Sequence, residues 1–537
     1  MGFYLNNKSK VSLYKSEMQR PYFVDKTLIL SELFPLIESG NSHICITRPR
    51  RFGKTVMANM IGAFFEKDED TKEIFDQLKI SKSPEYEKHR NKHDVIYIDF
   101  SKMPEDCDNY DQYISRIINR LKKDLIREYP DADYEEEDAL WDILDCIFDM
   151  YDGQKFIFVM DEWDCVFHKA FITREDQQKY ISFLSNLLKD HGYVELSYMT
   201  GILPIAKYSS GSELNMFLEY TMASEEKFNE YFGFTESEVD DLFQKYLEIC
   251  ATPMIIREQL RLWYDGYATK AGERMYNPRS VVTALSNNNI GNYWTSSGTY
   301  DSIFNYIKGN IADVRNDLVL MVAGEHVPAK MQQYAATANA LHTKDQIYSA
   351  MVVYGLLTYE NGKVFIPNKE LMDKFDELLL SNQQLGYVYR LARESQRMLQ
   401  ATIHGDTDTM EEILEYVHDT EVPIYSYNSE VELSAIVNLA YLSARDQYHI
   451  EREDKAGKGF VDFIFYPYDR TTDGVILELK VDKTPEYAIS QIKEKQYALR
   501  FKGKLAEKQQ FTGRILAVGI NYDKETKQHR CKVEEIK

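Results

Sequence analysis

The chain has 537 residues, 44% of them hydrophobic and 39 of them tyrosine, which suits several packed domains and excludes a disordered protein. Its net charge of −22 excludes a protein that coats nucleic acid over its whole surface, because phosphate must be met by Lys and Arg. No run approaches the roughly 18 apolar residues of a membrane helix, and six scattered cysteines without a C-x-x-C pair exclude a disulfide framework or zinc cluster and point to a reducing, cytoplasmic setting.

The first residues lack a charged head followed by an apolar stretch, so no secretory signal is expected. Lys8, Lys10 and Lys15 read as solvated surface. Residues 43–47 are predicted as a buried strand followed by a helix over about 54–66. Residues 95–100 form a second strand, with a long helix over 110–128. Residues 156–160 and 195–200 are a third and a fourth. Near-continuous apolar strands separated by helices predict a parallel sheet covered on both faces, an α/β nucleotide-binding architecture. The acidic run over 131–138 reads as a solvated loop and helix start.

Thr235-Glu236-Ser237-Glu238 is a capping box, in which hydroxyl and carboxylate satisfy each other's free backbone N–H groups. It opens a helical region to about residue 288. Farther on, a helix over 344–354 leads into two alternating strands around Asn361-Gly362, a strong hairpin signal. Helix plus hairpin reads as a winged helix, with an ordinary α+β connector as the other arrangement the pattern allows. Residues 461–465 and 474–480 are two further alternating strands. From Lys480 onward there are 14 Lys and Arg against 8 Asp and Glu, reversing the overall sign.

Two constellations carry chemistry. Gly53-Lys54-Thr55 lies between a strand and a helix, where backbone N–H groups face phosphate, Lys reaches the β- and γ-phosphates of ATP, and Thr ligates Mg²⁺. The usual G-x-x-x-x-G-K-S/T pattern would put its first glycine at position 48, which is Arg48. Asp161-Glu162 ends the third strand at its C-terminal tip, where open α/β sheets place ligands. There Asp161 is suited to Mg²⁺ and Glu162 to activating water. Thr200, closing the fourth strand, is either a polar sensor of the γ-phosphate or simply a strand end.

These motifs resemble a family of bacterial AAA-ATPase-like proteins. The resemblance rests on Tyr22-Phe23-Val24-Asp25-Lys26-Thr27, on Arg48-Pro49-Arg50-Arg51-Phe52-Gly53-Lys54-Thr55, and on Thr200-Gly201-Ile202-Leu203-Pro204. Tyr231-Phe232-Gly233-Phe234, Trp263-Tyr264-Asp265-Gly266-Tyr267 and Tyr276-Asn277-Pro278 add to it. It implies that Arg50, Arg51 and Phe52 belong to the phosphate loop, that the missing glycine is a family trait, and that a helical lid follows the core. Arg279 stands where relatives more often have an aromatic residue; it reads as a phosphate sensor or a surface Arg, the latter being favoured.

In the C-terminal strands a period of two puts Glu478 and Lys480 on one face, with Asp462 across the ladder. Two acids and a lysine among apolar residues are costly unless a divalent metal is bound, although a cross-strand salt bridge fits the same pattern. The arrangement resembles the PD-(D/E)xK nuclease superfamily, an α/β restriction-endonuclease-like fold. The resemblance covers a helix with Glu432, strands with Glu453 and Asp462, Glu478-Leu479-Lys480, and a helix with Gln491. It implies that Glu432, Asp462 and Glu478 hold Mg²⁺ or Mn²⁺, with Lys480 and Gln491 completing the site. Phe460 replaces an Arg common in relatives, which bears on substrate contact.

The expected organisation is a P-loop core at 1–225, a helical lid at 226–300, a winged-helix or helical connector at 301–425 and a nuclease-like domain at 426–537. The expected function is an ATPase joined to a metal-dependent nuclease acting on nucleic acid, DNA above RNA, in genome defence or mobile-element control. A nucleotide-dependent homo-oligomer is the expected assembly, with no membrane partner. The other reading is a regulatory, signalling-type ATPase whose nuclease fold only binds nucleic acid or a protein.

Overall fold

The computed structural model describes residues 2–103, 107–135, 137–205, 212–223, 225–294, 314–322, 324, 326–331, 341, 343–381, 387–420, 430–456, 459–469, 471–498, 501 and 513–536. They fall into two compact units: Met1–Thr299 with Pro328–Glu370, and Tyr300–Val327 with Leu371–Lys537.

The first unit is built on a five-stranded parallel sheet of β1 (Ser42–Thr47), β2 (Asp94–Asp99), β3 (Phe156–Asp161), β4 (Val194–Gly201) and β5 (Leu218–Thr221), in the order β2-β3-β4-β1-β5. Sequence patterning finds the first four. It misses β5, whose four residues are exposed or half-buried and so form no apolar run. One sheet face packs Ile44, Ile46, Tyr97, Val159 and Tyr198 beneath the helix Lys54–Phe65. The other packs Ile96, Ile98, Phe158 and Met160 under the helices Tyr110–Glu128, Leu140–Met150 and Arg174–Leu188. The helix Tyr110–Glu128 starts where the Asn109 side chain caps the Gln112 N–H, and it buries Tyr113, Ile117, Leu121 and Leu125 at helical spacing. Each such side chain contributes about 1.5–3 kcal/mol by leaving water.

The capping box forms: Thr235 N–H donates to Glu238 at 2.9 Å and Glu238 N–H to the Thr235 hydroxyl at 3.3 Å. It opens the helix Glu236–Ile249, followed by Arg257–Tyr264 and Pro278–Asn287. The expected helical region is interrupted by a short hairpin, β6 (Tyr267–Ala268) with β7 (Arg274–Met275). Later in the same unit the helix Lys344–Val353 leads into β8 (Thr358–Glu360) and β9 (Lys363–Phe365), paired antiparallel. Asn361 (φ 50°) and Gly362 (φ 80°) supply the two left-handed residues that a two-residue hairpin turn demands.

The second unit carries a mixed sheet of β10 (Tyr448–Ala456), β11 (Gly459–Pro467), β12 (Gly474–Val481), β13 (Ile515–Asp523) and β14 (Gln528–Ile536), in sequence order. Only β12 and β13 run parallel, and the helix Pro485–Glu494 lies in the connection between them. Val461, Ile464, Ile476, Ile489, Ile492 and Ala517 form its core. Among the described residues no helix is long and apolar enough to cross a membrane.

Candidate nucleotide and nuclease sites

The phosphate loop begins where β1 stops. Arg48, standing where the usual pattern has glycine, is only 1% exposed. Its guanidinium donates to the carbonyls of Thr47 (2.7 Å) and Tyr220 (2.8 Å) and to the Asn229 side chain (2.9 Å), and lies over the Phe232 ring. Arg48 is therefore a strut between the loop, β5 and the segment preceding the lid. Backbone freedom comes later in the loop, at Arg51 (φ 68°) and Gly53 (φ 88°), immediately before the helix Lys54–Phe65. The free N–H groups of that helix start are suited to an anion. Lys54 is buried, and its ammonium donates to the Arg48 and Pro49 carbonyls, both at 3.0 Å. Burial pushes its pKa down, while the carboxylates of Glu162, Asp164 and Asp161 act the other way.

The remaining loop residues divide their work. Arg51 donates to the carbonyls of Tyr293 and Trp294, and the Trp294 indole donates to the Arg50 carbonyl at 3.0 Å. Phe52 meets Tyr267 edge-on, with ring centres 4.9 Å apart. The N–H groups of Tyr293 and Trp294 are in turn held by the buried Glu370 carboxylate at 2.5 Å, which also accepts the Ser280 hydroxyl at 2.8 Å. Gly355 comes so close that a Cβ there would lie 2.7 Å from the Pro49 side chain. The helix-hairpin segment and the lid thus both rest on the phosphate loop.

Asp161 ends β3 with a fully buried carboxylate that makes no hydrogen bond of sound geometry among the described residues, although the Thr55 and Tyr97 hydroxyls adjoin it. Burial raises its pKa to about 7; Asp99 and Glu162 add to the rise, and Thr55 and Lys54 oppose it. An ionised carboxylate in that position costs several kcal/mol unless something positive joins it. Asp161 and Thr55 therefore fit a divalent cation. Thr200 sits on β4 opposite Ile46 of β1, one residue past the Met199–Met160 pair, hence level with Asp161. Its hydroxyl is likewise buried without a partner. Glu162 adopts a left-handed φ of 55°, a strained conformation for a non-glycine residue of a kind that clusters at functional sites.

That strain is held in place by a neighbouring network the sequence reading did not single out. Asp164 accepts the N–H groups of Ile202 (3.2 Å) and Leu203 (2.9 Å), and the Trp163 indole donates to the Leu203 carbonyl at 3.1 Å. A Cβ on Gly201 would fall 2.4 Å from the Asp164 carboxylate and 2.5 Å from the Trp163 ring. A bulky Trp directly after the acid pair, and a Gly directly after Thr200, were the available signals.

A cleft of about 550 Å³ opens beside the loop, lined by Arg50, Arg51, Phe52, Gly53, Lys54, Thr55 and Glu162, and by Tyr22, Phe23, Phe234 and Arg279. Arg279, favoured as a surface residue over a phosphate sensor, is exposed and lines this cleft. Lys26 joins the N-terminal segment to the lid, donating to the Glu230 carbonyl (2.6 Å) and to Glu238 (2.7 Å). Of the three lysines expected on the surface, Lys8 and Lys15 are partly or fully exposed. Lys10 is not: it is 5% exposed because its side chain lies on the Tyr97 ring.

In the second unit Asp462, Glu478, Lys480 and Gln491 come together. The Asp462 carboxylate accepts the Leu479 N–H at 2.7 Å. Glu478 and Lys480 are buried and paired at 2.9 Å, and Gln491 donates to the same Glu478 oxygen at 2.5 Å. Gln491 is in reach because its helix lies close to β13, where Gly519 leaves room; a Cβ there would be 2.4 Å from the Pro485 carbonyl. The other Glu478 oxygen is buried with no hydrogen-bond partner among the described residues. Burial raises the Glu478 pKa to about 7, Asp462 adds to it, and Lys480 and Lys495 oppose it. An orphaned carboxylate oxygen beside a second acid suits a divalent cation. No group of three potential metal ligands is assembled among the described residues. The Glu432 side chain, on the helix Glu430–Ala440, and those of Glu453 and Phe460 lie outside the described residues.

Residues 14–210 match the family described as predicted AAA-ATPases, and residues 432–531 match the PD-(D/E)XK nuclease superfamily. An uncharacterized protein from the vnfD 5′ region of Azotobacter chroococcum mcd 1 is 25% identical over 283 residues, 52% of this chain. The chain spans about half (51%) of that relative's length. A Walker-type ATPase of Pyrococcus abyssi aligns with 64% of this chain and 93% of its own, at 9% identity and a TM-score of 0.36. The ORC2 protein of Aeropyrum pernix aligns with 69% of this chain and 92% of its own, at 11% identity and a TM-score of 0.32. The chain therefore carries an ATPase-like segment and a nuclease-superfamily segment.

Proposed function

We propose that this chain hydrolyses ATP at the phosphate loop and that the nucleotide state controls metal-dependent cleavage of nucleic acid, DNA above RNA, by the second unit. The observation that carries this reading is a matched pair of buried carboxylates, Asp161 and Glu478, each with unpartnered oxygen.

In this reading the N–H groups from Arg51 to Thr55 and the Lys54 ammonium orient the triphosphate, and Arg50 and Arg279 face it from the cleft wall. Thr55 and Asp161 would hold Mg²⁺, and Asp462, Glu478 and Glu432 would hold Mg²⁺ or Mn²⁺. The cation supplies charge neutralisation on phosphate oxygens and a more acidic bound water. Glu162 positions the attacking water and takes its proton, and Thr200 contacts the γ-phosphate. Lys480 donates to the scissile phosphate, and Gln491 fixes the Glu478 carboxylate through their hydrogen bond. The basic excess after Lys480 suits a phosphate backbone. The setting is cytoplasmic, the role is defence or mobile-element control, and self-association follows the nucleotide.

The test is ATP hydrolysis and cleavage of supercoiled and linear DNA, with Mg²⁺ or Mn²⁺, with and without ATP. Glu162→Gln should bind ATP but hydrolyse it about 10²–10⁴ times more slowly. Asp462→Ala should abolish cleavage and leave ATP hydrolysis intact. Equal ATPase rates for wild type and Glu162→Gln would remove the first half. DNA that is bound but never cut by the wild type would make the second unit a binding module of a regulatory ATPase.

A further inference from the structure

Lys10 serves neither site. It lies on the helix Ser9–Met18, is 5% exposed, and holds its ammonium 3.5 Å above the centre of the Tyr97 ring. It has no hydrogen-bond or ion-pair partner among the described residues. Withdrawing an ammonium from water costs more than one aromatic face returns. Burial accordingly pushes its pKa down to about 8; Lys102 acts in the same direction, and Asp99 and Asp161 oppose it.

The ammonium borders a cavity of about 380 Å³, the size of a small-molecule site. Arg116, half-buried on the helix Tyr110–Glu128, lines it and also has no hydrogen-bond or ion-pair partner among the described residues. Lys102 lines it too, paired with Asp99 at 3.4 Å. Among the described residues the lining therefore holds three cations and one carboxylate, on a chain of net charge −22. The rest of the wall mixes Phe3, Tyr4, Tyr97 and Met103 with the polar Asn7. This cavity shares no lining residue with the nucleotide cleft.

We propose that this cavity is a second ligand site, binding a phosphomonoester that carries an aromatic or apolar group. The dianionic phosphate is held by Lys10 and Arg116, and the apolar part rests against Phe3 and Met103. Lys102 contributes charge at the rim while keeping its Asp99 partner.

The test is calorimetric titration of the full chain with phenyl phosphate, inorganic phosphate and benzyl alcohol, each in the presence of saturating ADP. Phenyl phosphate should bind tighter than either fragment. Its affinity should fall about 10-fold or more in Lys10→Gln and in Arg116→Gln, each of which removes a charge-assisted hydrogen bond. Arg116→Gln keeps the readout available if Lys10→Gln folds poorly, because Arg116 makes no internal bond that the fold would lose. Acylation of Lys10 by an N-hydroxysuccinimide ester, read by peptide mass mapping, should be blocked by phenyl phosphate and not by ADP. Displacement of phenyl phosphate by ADP, unchanged affinity in Arg116→Gln, or no binding at millimolar concentration would each overturn the proposal.

Discussion

Replacing Arg48 by glycine would restore the residue that the usual phosphate loop has at this position, and the structure predicts that the protein would be worse for it. Three acceptors depend on the guanidinium: the Thr47 and Tyr220 carbonyls and the Asn229 side chain. A charge-assisted hydrogen bond contributes about 1.5–3 kcal/mol, and an acceptor left unpaired costs about 1–3 kcal/mol. The contributions are not additive, and removing a buried charge returns some desolvation energy, so the net loss is about 3–5 kcal/mol. At roughly 1.4 °C per kcal/mol for a unit of about 340 residues, the thermal midpoint should fall by roughly 4–7 °C. Arg48→Lys should recover less than half of that, because one ammonium cannot span the same three acceptors. Scanning fluorimetry gives the midpoint, and titration with a fluorescent ATP analogue gives loop competence, which should weaken about 10-fold as the strut is lost. A midpoint within about 2 °C of wild type with unchanged ATP affinity would refute the strut.

Gly201→Ala should destabilise by about 1–3 kcal/mol through crowding against Asp164 and Trp163, seen as an earlier denaturant midpoint; an unshifted midpoint would contradict the packing. Glu66 is buried with neither oxygen in a hydrogen bond of sound geometry among the described residues, and burial raises its pKa to about 7, with Asp68 and Glu69 adding and Lys8 and the Glu69 N–H opposing. Its raised native pKa means that the folded state keeps a proton the unfolded chain has released, so stability falls as pH rises from about 4.5 to about 7. The midpoint of Glu66→Gln relative to wild type should accordingly climb between pH 5 and pH 8, and a constant difference would dismiss that titration. Glu370→Ala removes the acceptor that holds the N–H groups of Tyr293 and Trp294, and should weaken ATP binding about 10-fold through Arg51 and the Arg50 carbonyl. Equal ATP affinity would show that the phosphate loop does not depend on this network. Gln491→Ala frees Glu478 and should lower Mn²⁺ affinity about 10–100-fold by calorimetry; unaltered metal binding would detach Gln491 from the site.

Much of the architecture could be read from local pattern. The apolar runs of β1 to β4 and the periodic helix Tyr110–Glu128 announce themselves, because a strand buried on both faces and an amphipathic helix write their burial into consecutive residues. The capping box at Thr235 and the Asn361-Gly362 turn are equally local: their hydrogen bonds and dihedrals involve residues within a few positions of each other. The convergence of Glu478 and Lys480 follows from the two-residue period of a strand. The short polar β5 is invisible in that way, since its place comes from pairing with β1.

Local sequence marks the candidate groups: a Gly-Lys-Thr loop between strand and helix, an acid pair at a strand tip, and an acid–lysine pair on alternate strand positions. It could not place Arg48 as a strut, bury Lys10 on Tyr97, set Arg279 into the cleft wall, or bring Trp294 and Glu370 onto the phosphate loop. The contacts among them join partners 76 to 244 positions apart, for example Trp294 with Glu370 at a separation of 76, Arg48 with Tyr220 at 172 and Arg50 with Trp294 at 244. Local pattern records which face of an element is buried. Which distant groups meet there, and whether a buried charge finds a partner, is decided only when the elements pack.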